Sequence, residues 1–444
     1  MGFIAVVSAG ESEPGQPPPG LGVVGGITLL ERQVRAVLDS GAEAVAVLAA
    51  ALPSDIAGRL AADPRCWRAS TPAVLAERLA GDEREVIVLA PGVLLDERLI
   101  AAVARAKAPI LFDFASDPPA GAERLDSQSH WAGIARLQAA MVTGVATDLG
   151  DWELTGTLVR AAVESGAARL NVESLPVYAP ARRRNVEMLW ATPTDTAARQ
   201  RGTEALIAAS QKGCLDWPAR FIHPPIENML VRLLLPTRIT PNMVTLLTGL
   251  LGVIAIIMFA TGNLWWGLGL VLAVGPLDGV DGKLARTRHE FSRWGDLEHV
   301  LDKILEYGWF IALGSWFAQQ HGLAAWLVTF GIILFALAEA ASGEFFRRFT
   351  GKQLDDWGPF ERRFRLIGGR RNTFFWSLLP FAAFGAWWPG FLFILAYAGI
   401  TTAVAQWRLM RALGDYGRAV SSDVAHNFAR TAYAFLPKSG AGGR

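Results

Sequence analysis

Hydrophobic positions along the chain change in period and length near residue 240. Ahead of that point the apolar runs are short. Residues 3–8 read as a buried strand, residues 25–38 as an amphipathic helix ending near Gly41, and residues 44–49 as a second strand. Residues 85–90 and 109–114 repeat the strand pattern with a helix over 95–107 between them, which predicts an alternating α/β domain with a mainly parallel sheet. No stretch here has the roughly 18 uninterrupted apolar residues of a spanning helix, so residues 1–195 are expected to form a soluble domain.

The pattern then changes. Residues 192–212 predict a polar connecting helix, the proline-rich stretch 217–225 predicts a break, and residues 226–235 predict an amphipathic helix lying on a membrane surface, so 196–238 reads as a linker. Pro241 suits the first turn of a first span. Apolar segments over 244–260, 264–277, 300–318, 323–341, 373–388 and 391–407 predict an all-α, six-helix transmembrane domain over 239–419, followed by a polar tail over 420–444. The connections at 262–263, 319–322 and 389–390 carry no Lys or Arg, whereas 286–293, 347–371 and 408–418 are rich in them. Both termini and the soluble domain are therefore expected on the cytoplasmic side of an integral membrane protein of bacterial or archaeal type.

Composition sharpens this only in part. A hydrophobic share of 52% with 19% charged residues fits a membrane protein, and a net charge of +1 gives no support for nucleic-acid binding. Cys66 and Cys214 lack metal-ligand spacing and fit a reducing compartment. The start of the chain has no basic segment ahead of its short apolar run, which argues against a secretory signal.

The candidate chemistry lies where the second apolar run ends, in Asp278-Gly279-Val280-Asp281-Gly282-Lys283-Leu284-Ala285-Arg286. Carboxylates are costly next to hydrocarbon unless they face a cavity or a partner. Asp278 and Asp281 are three apart, which puts them on one helical face as candidate ligands for a hard divalent cation such as Mg2+ or Mn2+. Gly282 and Ala285 are small enough to let a nucleotide approach the backbone, and Arg286 is a candidate phosphate partner. Arg370 and Arg371, ahead of the fifth apolar segment, are candidates for the phosphate of a phosphorylated acceptor, with lipid headgroups as the alternative partner of this arginine-rich loop.

Read as DxxDGxxAR with an upstream Thr240-Pro241-Asn242 and six apolar segments, the second half of the chain resembles the CDP-alcohol phosphotransferase family. The resemblance implies transfer of a phosphatidyl or other phospho-alcohol group from a CDP-linked lipid or CDP-alcohol donor to a hydroxyl acceptor, with release of CMP, in phospholipid synthesis. It also implies a homodimer. The family pattern continues through a glycine, present as Gly295, to two aspartates four apart; counted without a gap these positions are His299 and Lys303. Three readings are open: Glu298 and Asp302 supply the carboxylates one position early, with Asp302 also taking the acceptor proton; His299 serves as ligand or base with Asp302 or Glu306; or the domain is a catalytically impaired scaffold.

The order strand, loop, Gly25-Gly26-Ile27-Thr28-Leu29-Leu30-Glu31-Arg32, helix, strand resembles the Rossmann-like nucleotidyltransferase fold, as in bifunctional inositol-phosphate cytidylyltransferase and phospholipid synthase proteins. Those proteins place basic residues in the first loop. Here residues 11–20 carry Glu11 and Glu13 among prolines, and Pro91-Gly92-Val93 stands where an acidic ligand is expected, with Asp96 only later. Two carboxylates repel a triphosphate, so a domain that kept the fold without the transfer chemistry is favoured over a working bifunctional enzyme.

Overall fold

The computed structural model describes residues 2–12, 14–115, 118–149, 153–291 and 295–419, with the side chains of 295–299 and 415–419 outside that description. The expected tail at 420–444 therefore lies outside the described residues. Two compact units are present, one built from Met1–Ala179, Asn185–Ser210 and Thr287–His289, the other from Pro180–Arg184, Gln211–Arg286 and Glu290–Arg444.

The first unit is a seven-stranded sheet of β1 (Phe3–Ser8), β2 (Ala42–Leu48), β3 (Cys66–Ala69), β4 (Glu85–Leu89), β5 (Ile110–Phe114), β6 (His130–Gln138) and β7 (Ala168–Asn171). Its spatial order is β7-β5-β6-β4-β1-β2-β3. The helices α1 (Leu29–Asp39), α2 (Ser54–Ala61), α3 (Pro72–Leu79), α4 (Glu97–Val103), α5 (Ala139–Thr147), α6 (Leu154–Glu164) and α7 (Thr196–Ser210) accompany it. Every residue of β1 is buried, as befits a central strand covered on both faces. The expected parallel pairing holds except at β6, which runs antiparallel to both β4 and β5. β6 is buried at seven consecutive positions, so it lacks the alternation that marks a half-exposed strand.

Local rules explain the helix starts. Thr28 caps α1, taking the Glu31 N–H at 3.2 Å while the Glu31 carboxylate takes the Thr28 N–H at 3.3 Å. Asp96 caps α4: one carboxylate oxygen accepts the Arg98 N–H at 2.9 Å and the other accepts the Leu189 N–H at 3.1 Å. Burial pushes this carboxyl up, but Arg98 outweighs burial and holds it below the ordinary aspartate range.

In the second unit the expected break over 217–225 is replaced by two helices, α8 (Trp217–Phe221) and α9 (His223–Leu234). Their prolines sit in first turns, where the missing N–H costs nothing. α10 (Pro241–Ala260), α11 (Leu264–Arg288), α12 (Gly295–His321), α13 (Leu323–Thr350), α15 (Arg371–Ala383) and α16 (Trp387–Ala419) occupy the six apolar segments, with α14 (Pro359–Ile367) in the last long connection.

Among the described residues three helical stretches are long and apolar enough to cross a membrane: Pro241–Ala260, Leu323–Thr350 and Trp387–Gly414. α11 and α12 carry the charged residues of the motif region, which lowers their mean hydropathy. α15 has 13 residues, a rise of about 20 Å against a hydrocarbon core of about 30 Å. The fifth expected segment is cut short because the chain turns at Gly385, whose φ of 68° is left-handed.

The helices pack closely. The Trp309 indole N–H donates to the Gly252 carbonyl at 2.8 Å, and a Cβ at Gly252 would meet Leu305 at 2.9 Å. Phe375 lies between Phe259 and Phe310, with ring centroids 6.1 and 5.3 Å away. The opposite face of α10, with Leu246 74% and Leu250 56% exposed, suits hydrocarbon.

Candidate active site

The site is built around the last turns of α11, which stays helical through Pro276, Gly279 and Gly282 to Arg288. Its residues Asp278, Asp281, Gly282, Ala285 and Arg286 line a cavity of about 670 Å³ together with residues of α9, α10, α12 and α15.

Asp281 is buried. It accepts a hydrogen bond from the Thr245 hydroxyl of α10 at 2.7 Å through one oxygen and from the Gly282 N–H at 2.5 Å through the other. Two bonds of this kind fix the carboxylate's orientation. Asp278 faces α15, where the Arg371 guanidinium donates to it at 2.6 Å. The same guanidinium reaches Asp302 of α12 at 3.2 Å, so two carboxylates from different helices converge on one cation.

Arg371 is thus held by carboxylates. Arg370 pairs with Asp355 at 2.9 Å and Glu339 at 3.4 Å, and its remaining surface lines the cavity. Gly282 leaves room for the Arg286 guanidinium: a Cβ there would lie 3.0 Å from its nearest nitrogen. Glu298 and His299 belong to α12, but their side chains lie outside the described residues. Lys303 pairs with the buried Glu306 at 2.6 Å, and both line the cavity. Among the described residues no three of His, Cys, Asp or Glu form a group placed to hold a metal ion.

Several residues that the motif does not announce complete the walls. Lys283, 1% exposed, lines the same cavity and reaches α9, where it pairs with Glu227 at 2.9 Å and donates to Asn228 at 2.6 Å. Burial pushes the Glu227 carboxyl up, and Lys283 only partly opposes it. Gly279 makes this pairing possible, since a Cβ there would sit 2.3 Å from the Glu227 carboxylate. Asp216 caps α8 and also faces the Asn372 amide at 3.3 Å.

Asp355 is the centre of a second cluster. Arg370, Arg365 and Arg408 approach it at 2.9, 3.5 and 3.3 Å. Burial alone would raise this carboxyl; the surrounding guanidinium groups outweigh it and bring it down to about 2. The partners of Glu227 and Asp355 lie more than fifty positions away or on other helices, so spacing gave no signal for them. Lys283 could have been noticed as a cation inside the motif with no solvated face.

The profile of the CDP-alcohol phosphatidyltransferase family matches residues 238–402. A phosphatidylinositol phosphate synthase of Mycobacteroides abscessus is 30% identical over 190 residues, covering 42% of this chain and 84% of that protein. A bifunctional IPC transferase and DIPP synthase of Aquifex aeolicus is 24% identical over 208 residues, 46% of this chain and 45% of that protein. The crystal structure of Mycobacterium tuberculosis phosphatidylinositol phosphate synthase with CDP-DAG bound is similar with a TM-score of 0.33 and 21% identity, over 42% of this chain and 93% of that one.

Proposed function

The chain belongs to the CDP-alcohol phosphatidyltransferase family, and from that premise we propose that it moves a phosphatidyl or related phospho-alcohol group from a CDP-linked lipid to a hydroxyl acceptor within the membrane. The observation that carries the mechanism is the convergence of Asp278 and Asp302 on Arg371 beside the fixed carboxylate of Asp281.

In the transfer, the acceptor oxygen attacks the phosphorus that bears the lipid alcohol. The bond from that phosphorus to the bridging oxygen breaks, and the electron pair leaves with CMP. Negative charge therefore grows on the leaving phosphate. Asp278, Asp281 and Asp302, with Glu298, are the residues that would hold Mg2+ or Mn2+, since their donors are hard carboxylate oxygens; when bound, such an ion neutralises the diphosphate. Arg286 holds a phosphate oxygen. Arg371 keeps Asp278 and Asp302 together and adds positive charge on the same side. The acceptor's proton goes to Asp302, with His299 as the competing base. Arg370, with Arg365 on the same cavity wall, favours an acceptor that is itself phosphorylated, in keeping with the similarity to the Mycobacteroides phosphatidylinositol phosphate synthase.

The charged connections support six spans with both termini on the cytoplasmic side, and the family resemblance supports a homodimer. The proposed domain plan is a nucleotidyltransferase-like domain over 1–195, a linker over 196–238, the transferase domain over 239–419 and a polar tail over 420–444. The first domain is read as lacking nucleotidyl transfer: Asp96, the nearest carboxylate after β4, is engaged by Arg98 and Leu189.

The test is divalent-metal-dependent CMP release by the full-length protein from CDP-diacylglycerol with a panel of free and phosphorylated polyols. Release that Asp278→Asn reduces roughly 100-fold or more is the expected result. Absence of release with every acceptor overturns the reading.

A further inference from the structure

His223 is the first residue of α9 and is 2% exposed, yet its Nε2 meets no hydrogen-bond partner among the described residues. Buried ring nitrogens are normally paired, so an unpaired one lining a cavity points to a ligand atom. The residue lies where two spaces meet. On one side is the polar cavity with Asp278 and Arg371. On the other is an apolar cleft of about 430 Å³, walled by Ile226 and Leu230 of α9, Leu272 and Leu277 of α11 and Trp376 of α15.

The backbone of α11 makes room for the ring. A Cβ at Gly275 would lie 3.2 Å from His223 Nε2 and 3.3 Å from the Asn372 side-chain oxygen. Pro276, the next residue, lacks the N–H that would pair with the Leu272 carbonyl along the helix.

We infer that His223 is a donor-lipid binding residue: its Nε2–H donates to the ester carbonyl at the root of an acyl chain, and the cleft beside it takes the first segment of that chain. The inference rests on the CDP-lipid reading above. A CDP-linked lipid has its diphosphate beside Asp278 and its chains in hydrocarbon, so the molecule must pass from one space to the other. His223 is common to both. The first acceptor atoms a chain presents at that passage are ester carbonyls, and a neutral imidazole carries one N–H to meet them. Burial lowers the proton affinity of His223, which keeps the ring neutral. A water-soluble CDP-alcohol has neither the carbonyl nor a chain for the cleft.

The experiment compares CDP-diacylglycerol with its dialkyl ether analogue, which has the same chains but no ester carbonyl, on the full-length protein in detergent. In the unsubstituted protein the ether donor is expected to have a KM about tenfold higher, the size of one buried hydrogen bond, at similar kcat. His223→Leu should raise the KM for the ester donor by about tenfold and leave the ether KM unchanged, while His223→Gln, which keeps a donor, recovers part of the loss. Equal KM values for the two donors in the unsubstituted protein, or a His223→Leu effect of equal size on both, overturns the inference. Thermal shift on adding each donor without metal reads the same contrast without turnover. A protein that releases no CMP but shows the ester-specific shift would refute the transfer reading and leave the His223 assignment standing; absence of that shift refutes the assignment.

Discussion

At the residue scale the site depends on how its carboxylates are held. Asp281 has both oxygens occupied by groups of fixed position, Thr245 and the Gly282 N–H. Thr245→Val should therefore lower turnover by roughly tenfold with little effect on melting temperature, because it frees a carboxylate without opening a cavity. Asp281→Asn should abolish CMP release. The identity of the acceptor base is decided by comparing Asp302→Asn with His299→Ala: loss of turnover in the first and near-normal turnover in the second assigns the proton to Asp302, and the reverse assigns it to His299. The motif residues were legible because chemistry imposes their spacing on one helix. Arg371's part was not, since a counter-ion for Asp278 that lies 93 positions away leaves no local trace. Arg370 and Arg371 read in sequence as phosphate partners, whereas the structure also gives each a carboxylate.

At the element scale, two buried ion-pair clusters join helices. Lys283 and Glu227 tie α9 to α11, each nearly without exposure. Lys283→Met alone strands a buried carboxylate and should cost about 3 kcal/mol, while Lys283→Met with Glu227→Gln should cost clearly less, measured as a coupling in thermal unfolding. Asp355 gathers Arg365 from α14, Arg370 at the start of α15 and Arg408 from α16. Its folded proton affinity is lowered, so its contribution is full above the unfolded value near 4 and is lost as pH falls towards about 2. Thermal melts between pH 5 and pH 2.5 should show an acid loss that Asp355→Asn removes, at a lower melting temperature throughout. The apolar segments that hold these clusters were legible from length alone. β6 was not, because a strand buried on both faces carries no period, and α15 was overrun because its apolar composition continues past the turn at Gly385.

At the scale of the whole molecule, the chain joins a sheet-based unit to a helical one, and the composition of each half showed that division before any motif did. Full-length protein given labelled CTP and a polyol phosphate is expected to form no CDP-alcohol, since Glu11 in the first loop repels a triphosphate and Asp96 is already engaged by Arg98; label incorporation would restore the bifunctional reading. α11 has one further consequence. It is one continuous helix, with Pro276 inside it, from Leu264 in the apolar run to Arg288 beyond the carboxylates. Under the proposed six-span reading its apolar part sits in the bilayer, and the depth at which that part settles sets the height of Asp278 and Asp281 above the lipid. Bilayer thickness thereby acts on chemistry. In vesicles of matched headgroup, turnover should pass through a maximum as acyl length increases, whereas a detergent series that imposes no thickness should show none.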